Sequence, residues 1–121
     1  MAFVSEDLIA KLGTLTRAEA DAQPHGVIRV DDEGVIELYN RFEAELAGIA
    51  PGDAEGRSFF TEVAPCTNNR LVYGRFQAGM EAGEMDFSLR YTFTYRMRPT
   101  NVRLHLLRDP ASETNWIFVA R

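Results

Sequence analysis

The chain has 121 residues, 45% hydrophobic and 26% charged, which suits one domain able to bury roughly two-thirds of its unfolded surface and excludes a disordered chain. Its 13 Lys and Arg against 18 Asp and Glu give a net charge of -5, which argues against nucleic acid and anionic membranes as partners. A single cysteine and 2 histidines exclude a disulfide framework and an ordinary Cys/His zinc cage, and the lack of a ~20-residue apolar run or a basic leader predicts a soluble cytoplasmic protein, a monomer with no membrane contact.

Ser5 to Leu15 reads as a short amphipathic helix. Ser5 is a cap, Glu6 and Asp7 suit the positive helix start, and Leu8, Ile9, Leu12 and Leu15 share a face. Arg17 to Pro24 is polar and reads as irregular. Residues 1–25 therefore form an N-terminal cap on a core domain of residues 26–121.

Val27–Val30 and Val35–Tyr39 are β-prone and flank the turn signal Asp31-Asp32-Glu33-Gly34, a hairpin pattern. Arg41 to Leu46 is a short helix with Asn40 as its cap. Pro51-Gly52-Asp53 marks a loop. Ser58 to Val63 leads into Ala64-Pro65-Cys66-Thr67, where Pro65 disfavours a helical Ala64. Arg70 to Ala82 is the best long helix, with Val72, Tyr73, Phe76 and Met80 at helical spacing and Gly83 as its stop.

The remainder is β. Phe87, Leu89, Tyr91, Phe93 and Tyr95 alternate with Ser88, Arg90, Thr92 and Thr94, which predicts five inward-facing positions in a row. Arg98-Pro99 breaks the run. Val102, Leu104 and Leu106 alternate with Arg103 and His105, which puts His105 on a solvated outer face. Trp116 to Ala120 closes the chain. The order predicts an α+β fold, an antiparallel five-stranded sheet with helices on one face.

By residue type alone, Cys66 is either a buried structural thiol or a reactive one near a helix start. A cysteine enzyme would need a base, and neither His25 nor His105 has the spacing of one. Tyr39 and Glu43 stand four positions apart and could equally be a strand end and a solvated helix residue. Phe59, Phe60, Tyr91, Phe93 and Tyr95 read as core.

Taken together these residues say more. Ser58-Phe59-Phe60-Thr61-Glu62-Val63-Ala64-Pro65-Cys66-Thr67 resembles the chromophore-attachment segment of the photoactive yellow protein family. Tyr39-Asn40 with Glu43, Tyr73-Gly74-Arg75-Phe76, the stretch from Tyr91 to Thr100 and Trp116-Ile117-Phe118-Val119 fit the same family. The likeness runs without gaps from about Gly26 to Trp116.

The resemblance implies a PAS fold and a blue-light receptor, not an enzyme. It implies p-coumaric acid (4-hydroxycinnamic acid) bound as a thioester on Cys66, whose backbone N–H faces the thioester carbonyl. Tyr39 and Glu43 would hydrogen-bond its phenolate oxygen, and Ile28, Ala47, Ile49, Val63, Phe93, Tyr95 and Met97 would belong to the pocket. Trans–cis photoisomerisation, proton transfer from Glu43 and partial unfolding would give the signalling state, read by an unknown downstream signalling protein. A light-independent PAS-like module that binds a ligand or a partner is the alternative.

The implied chemistry fits the residue types. A phenol titrates near pH ~10, so holding it ionised in a core needs strong donors. Glu43 can donate only if protonated: a carboxylate ~4 Å from a phenolate is repelled by about 4 kcal/mol at an effective dielectric of ~20. Two positions depart from the family pattern. Ala47 stands where a threonine supports the tyrosine, and Ile49 stands where an arginine covers the chromophore. A smaller hydrogen-bond network and an apolar lid without a cation are expected.

Overall fold

A computed structural model describes residues 3–94 and 98–121. The expected pocket residues Tyr95 and Met97 lie outside the described residues. Chain order is α1 (Glu6–Ala10), a 3-10 turn (Leu12–Thr14), α2 (Arg17–Asp21), β1 (Gly26–Val30), β2 (Ile36–Tyr39), α3 (Arg41–Ala47) and α4 (Pro51–Ala54). Three short helical turns follow, π-type over Phe59–Val63 and Arg70–Gly74 and 3-10 over Pro65–Thr67, and then α5 (Arg75–Ala82), β3 (Asp86–Phe93), β4 (Thr100–Asp109) and β5 (Thr114–Ala120).

The strands form one five-stranded sheet in the order β2-β1-β5-β4-β3, with every neighbouring pair antiparallel. The α+β layout, an antiparallel five-stranded sheet with packed helices, is as the sequence predicts. The first hairpin leaves β2 at one edge, and the return to β3 at the other edge carries all the helical turns between residues 41 and 82. That crossover covers one face and buries Ile28, Tyr39, Phe59, Phe60, Val72, Phe76, Phe93, Leu104 and Ile117 in one cluster. The helix over residues 70–82 forms as expected, and Gly83 ends it in the left-handed conformation at φ 75°.

Several local expectations are corrected. Residues 17–21 are helical, because Thr16 and Glu19 close a reciprocal cap across the first turn. The sheet is covered on both faces: Val4, Leu8, Leu12, Leu15 and Ala20 pack on Val27, Leu38, Leu107, Trp116 and Phe118. This second layer buries His105, which is 6% exposed and bonds Asp86 at 2.6 Å. Phe87, Leu89 and Tyr91 are only half-buried because β3 is an edge strand, and among the described residues of that row Phe93 alone is fully enclosed. Pro51–Ala54 is a short helix rather than a loop, with Pro51 in its first turn.

Candidate functional site

Cys66 sits in a stretch shaped by unusually wide turns. Val63 N–H donates to Ser58 O at 3.1 Å and Ala64 N–H to Phe59 O at 2.7 Å, both five residues apart. Gly74 N–H closes on Asn69 O at 2.8 Å in the same way. These are π-type turns, a geometry concentrated at functional sites. Ser58 and Glu62 fix the first turn reciprocally, through Thr61 N–H to Ser58 Oγ at 3.3 Å and Ser58 N–H to Glu62 Oε2 at 2.9 Å. Asn69 fixes the second, accepting from Leu71 and Val72 N–H at 3.0 and 3.1 Å.

Between those turns the Cys66 backbone is pinned. Asn69 Nδ2 donates to Cys66 O at 3.2 Å and to Tyr91 Oη at 2.6 Å, and the Tyr91 hydroxyl donates to Cys66 O. Thr67 Oγ1 donates to Ala64 O at 2.6 Å. The carbonyl is thus held from two elements, β3 and the loop, while the half-buried side chain packs at the margin of the main cluster. Asn69 and Tyr91 were not expected in this role. Their signal lay in Asn69 as a cap type three residues after Cys66, but the pairing with Tyr91 spans 22 residues.

Tyr39 and Glu43 are presented by the β2–α3 junction. Tyr39 is fully buried opposite Ile28 in the β1–β2 ladder, and its N–H donates to Glu55 Oε2 at 3.0 Å. Asn40 caps α3 through Glu43 N–H at 3.2 Å, as the sequence predicts. Its side chain also accepts from Val27 N–H at 2.9 Å and donates to Ala20 O at 2.8 Å and His25 O at 3.0 Å. One asparagine therefore joins β1, the N-terminal segment and the helix that carries Glu43. Gly48, left-handed at φ 71°, ends α3 and turns the chain so that Ile49 packs inward.

Glu43 is fully buried rather than solvated. Oε2 accepts from Arg121 Nη2 at 2.7 Å, whereas Oε1 has no hydrogen-bond partner among the described residues. A Cβ at Gly26 would stand 2.5 Å from Oε1, so any larger residue there would force the carboxyl to shift. Burial pushes the Glu43 pKa up to about 7, against the opposing pull of Arg121. The acid therefore keeps its proton between pH 4.5 and about 7, where an ordinary glutamate has lost it.

Ile28, Tyr39, Ala47, Ile49, Val63 and Phe93 all belong to the same buried cluster, with Cys66 packed against it. Ile49 and Val63 also line a cavity of about 350 Å³ with Gly48, Asp53, Arg57 and Glu62. Ala47 and Ile49 are apolar and buried, and a cation the sequence reading did not single out, Arg121, reaches Glu43 from the end of β5. Period-two alternation in β5, with Ile117 and Val119 inward, would have placed Arg121 on that face; its contact with Glu43 spans 78 residues.

These features agree with what the chain is similar to. The PAS fold family matches residues 14–121. The photoactive yellow protein of Rhodothalassium salexigens is 36% identical over 119 residues, covering 98% of this chain and 95% of that protein. The photoactive yellow protein of Rhodobacter capsulatus is 35% identical over 104 residues, covering 86% and 84%. Among solved structures, the photoactive yellow protein domain from the sensor histidine kinase Ppr of Rhodospirillum centenum superposes with a TM-score of 0.87 at 40% identity, covering 93% of this chain and 99% of that one. The chain thus belongs to the photoactive yellow protein family, photoreceptors built on the PAS fold.

Proposed function

We propose that this photoreceptor carries p-coumaric acid as a thioester on Cys66, with Tyr39 and Glu43 as hydrogen-bond donors to its phenolate oxygen. The observation that supports the reading best is Glu43: a fully buried carboxyl, raised to about 7, with one oxygen unpartnered among the described residues. A core has little use for such a group unless something is to receive its proton or its hydrogen bond. The fit extends to the single thiol at the cluster's margin and to the buried phenol of Tyr39.

When bound, such a group supplies a light-absorbing phenolate and a double bond that isomerises on excitation. The rest is the work of this chain. Cys66 gives up its thiol proton as its sulfur displaces the leaving group of an activated acyl donor. Asn69 and Tyr91 hold the Cys66 backbone so that the sulfur stays oriented. Tyr39 donates from one side and protonated Glu43 from another, which favours a buried anion. Ile28, Ala47, Ile49, Val63 and Phe93 keep water away. After light, Glu43 would pass its proton to the phenolate oxygen it had been bonded to, which would leave the negative charge on its own carboxylate in the core. The element tied to α3 through Asn40, the N-terminal segment, is the one that yields, a charge change biasing a weakly held element. The downstream partner is a signalling protein, a reading supported by the relative that is a domain of a sensor histidine kinase.

The test is reconstitution of the purified chain with an activated ester of p-coumaric acid. The expected product is yellow, bleaches under blue light and gains the mass of one 4-hydroxycinnamoyl group on Cys66. Cys66→Ala should stay folded and colourless. A wild-type chain that remains colourless, or a Cys66→Ala chain that still binds the group covalently, overturns the assignment.

A further inference from the structure

The charge left on Glu43 need not stand alone in this chain. Arg121 reaches its Oε2 at 2.7 Å from the far end of β5, with the guanidinium side chain only 13% exposed. The same guanidinium lies 5.8 Å over the ring of Phe93, an arrangement that holds a cation in place without neutralising it. The other surroundings of Glu43 offer no second cation at bonding distance among the described residues. On β1 the neighbour is Gly26, pressed against Oε1. Arg90 and Arg103 line a cavity of about 470 Å³ together with Arg121, but the ion pair to Glu43 is made by Arg121. His25 points to the opposite face, where its ring meets Phe3 and Phe118.

We propose that Arg121 is a positioning residue, the built-in counter-ion that holds Glu43 once its proton has gone. The inference rests on the photoreceptor reading above for its use, though the pair itself exists in the polypeptide alone. An unpaired buried carboxylate is strongly disfavoured, whereas one hydrogen-bonded to a guanidinium is tolerated. Glu43 thus has two settled conditions: neutral and free to donate elsewhere, or ionised and held by Arg121. The second condition gives the deprotonated state a longer life. It also carries the charge change to the end of β5, where Arg121 borders an open cavity rather than closed core.

The experiment uses the full chain without chromophore, and compares wild type, Arg121→Gln and Arg121→Lys. The carboxylic-acid stretch of Glu43, assigned by its absence in Glu43→Gln, is titrated by infrared difference spectroscopy. Loss of the cation should move the Glu43 midpoint upward by about one unit or more, the usual effect of removing an opposite charge within ~4–6 Å, and lysine should restore much of it. Equal midpoints in all three chains would overturn the proposal. Reconstituted with an activated ester of p-coumaric acid, Arg121→Gln should recover its dark colour several-fold faster than wild type, because its ionised Glu43 is less stable. Recovery that is unchanged or slower, despite a shifted midpoint, would overturn the role after light. Failure of the wild type to take up the group would sink the photoreceptor reading, while the titration still decides whether Arg121 holds the charge.

Discussion

The face of the sheet that carries Tyr39, Phe93 and Val119 is filled by a continuous crossover of some 40 residues, from Arg41 to Ala82, whose helical turns lock into one another through Phe59, Phe60, Tyr73 and Phe76. The opposite face is covered by α1 and α2, of 5 residues each, and a 3-10 turn. Helices that short have almost no stability of their own and exist because Leu8, Leu12, Leu15 and Ala20 are docked on Trp116 and Phe118. Their polar ties to the core converge on one place. Asn40 holds Ala20 and His25, Arg41 N–H bonds Asp21 at 2.7 Å, and Arg17 pairs at 2.7 Å with Glu55, which also accepts from Tyr39 N–H. The weakly held face is thus moored to the junction that presents Tyr39 and Glu43. A disturbance at that junction is therefore expected to loosen the outer layer before the inner one.

The most direct way to break the comparison is to weaken the outer layer alone. Leu8 is 1% exposed, and Leu8→Ala should cost about 2–5 kcal/mol of docking, as buried leucine truncations do. Because the segment can leave locally, native-state hydrogen exchange should accelerate over residues 6–21 and remain slow in β5. Equal loss of protection in β5 would mean that both faces open as one unit and that the distinction is empty.

The inner face can be probed through Glu43. Its pKa rises from 4.5 to about 7, and between those values the unfolded chain has lost the proton that the folded chain keeps. The folded state binds more protons there, so stability falls as pH rises through that window, by roughly 3 kcal/mol in all. Glu43→Gln cannot ionise and should remove that slope. Denaturant unfolding of the chromophore-free chain at pH 4.5, 6 and 8 checks it: the difference between wild type and variant should change with pH in this sense. A constant difference would show that burial does not hold this carboxyl protonated.

A smaller effect is expected at the mooring point. Asn40→Ala removes the α3 cap, worth about 1–2 kcal/mol, together with its bonds to Ala20 and His25. Asn40→Asp keeps the capping oxygen and loses the amide donor. Limited proteolysis should cut both variants faster than wild type within residues 1–25, while only the alanine variant loses global stability to the full extent. Proteolysis of Asn40→Asp at the wild-type rate would show that the amide donor does not moor the segment.

How far the sequence discloses this arrangement depends on the range of the interactions. Strands β1 to β5 follow from period-two patterns and turn residues, all local, and so does the cap at Asn40. The buried state of His105 was not legible, because β4 alone cannot say that Val4 and Leu8 will cover its outer face. The π-type turns around Cys66 depend on Ser58 and Asn69 side chains closing five-residue backbone bonds, a choice no apolar periodicity encodes. Cys66, Tyr39 and Glu43 were recognisable as a set only through a family resemblance. Arg121 was missed because its partner is 78 positions away and the family pattern directed attention to Ile49.

The smallest effect concerns Ala47, on the inner face of α3 and 5% exposed. Its methyl offers no hydroxyl to Tyr39, which belongs to the same cluster. In the proposed chromophore site Tyr39 would then support a phenolate less firmly, by a few tenths of a kcal/mol up to about one, the net worth of a neutral hydrogen bond. Weaker support localises less negative charge on the phenolate oxygen in the ground state and lowers the excitation energy. Ala47→Thr should therefore move the absorption of the reconstituted protein to the blue. The β-branched residue costs a few tenths of a kcal/mol of helix propensity, too little to confuse with a change of fold. Absorbance spectra of matched samples, with urea midpoints measured alongside, separate the two effects. A spectrum that stays put or moves to the red would show that Tyr39 is supported from elsewhere, and the absence of a hydroxyl at position 47 would then have no bearing on colour.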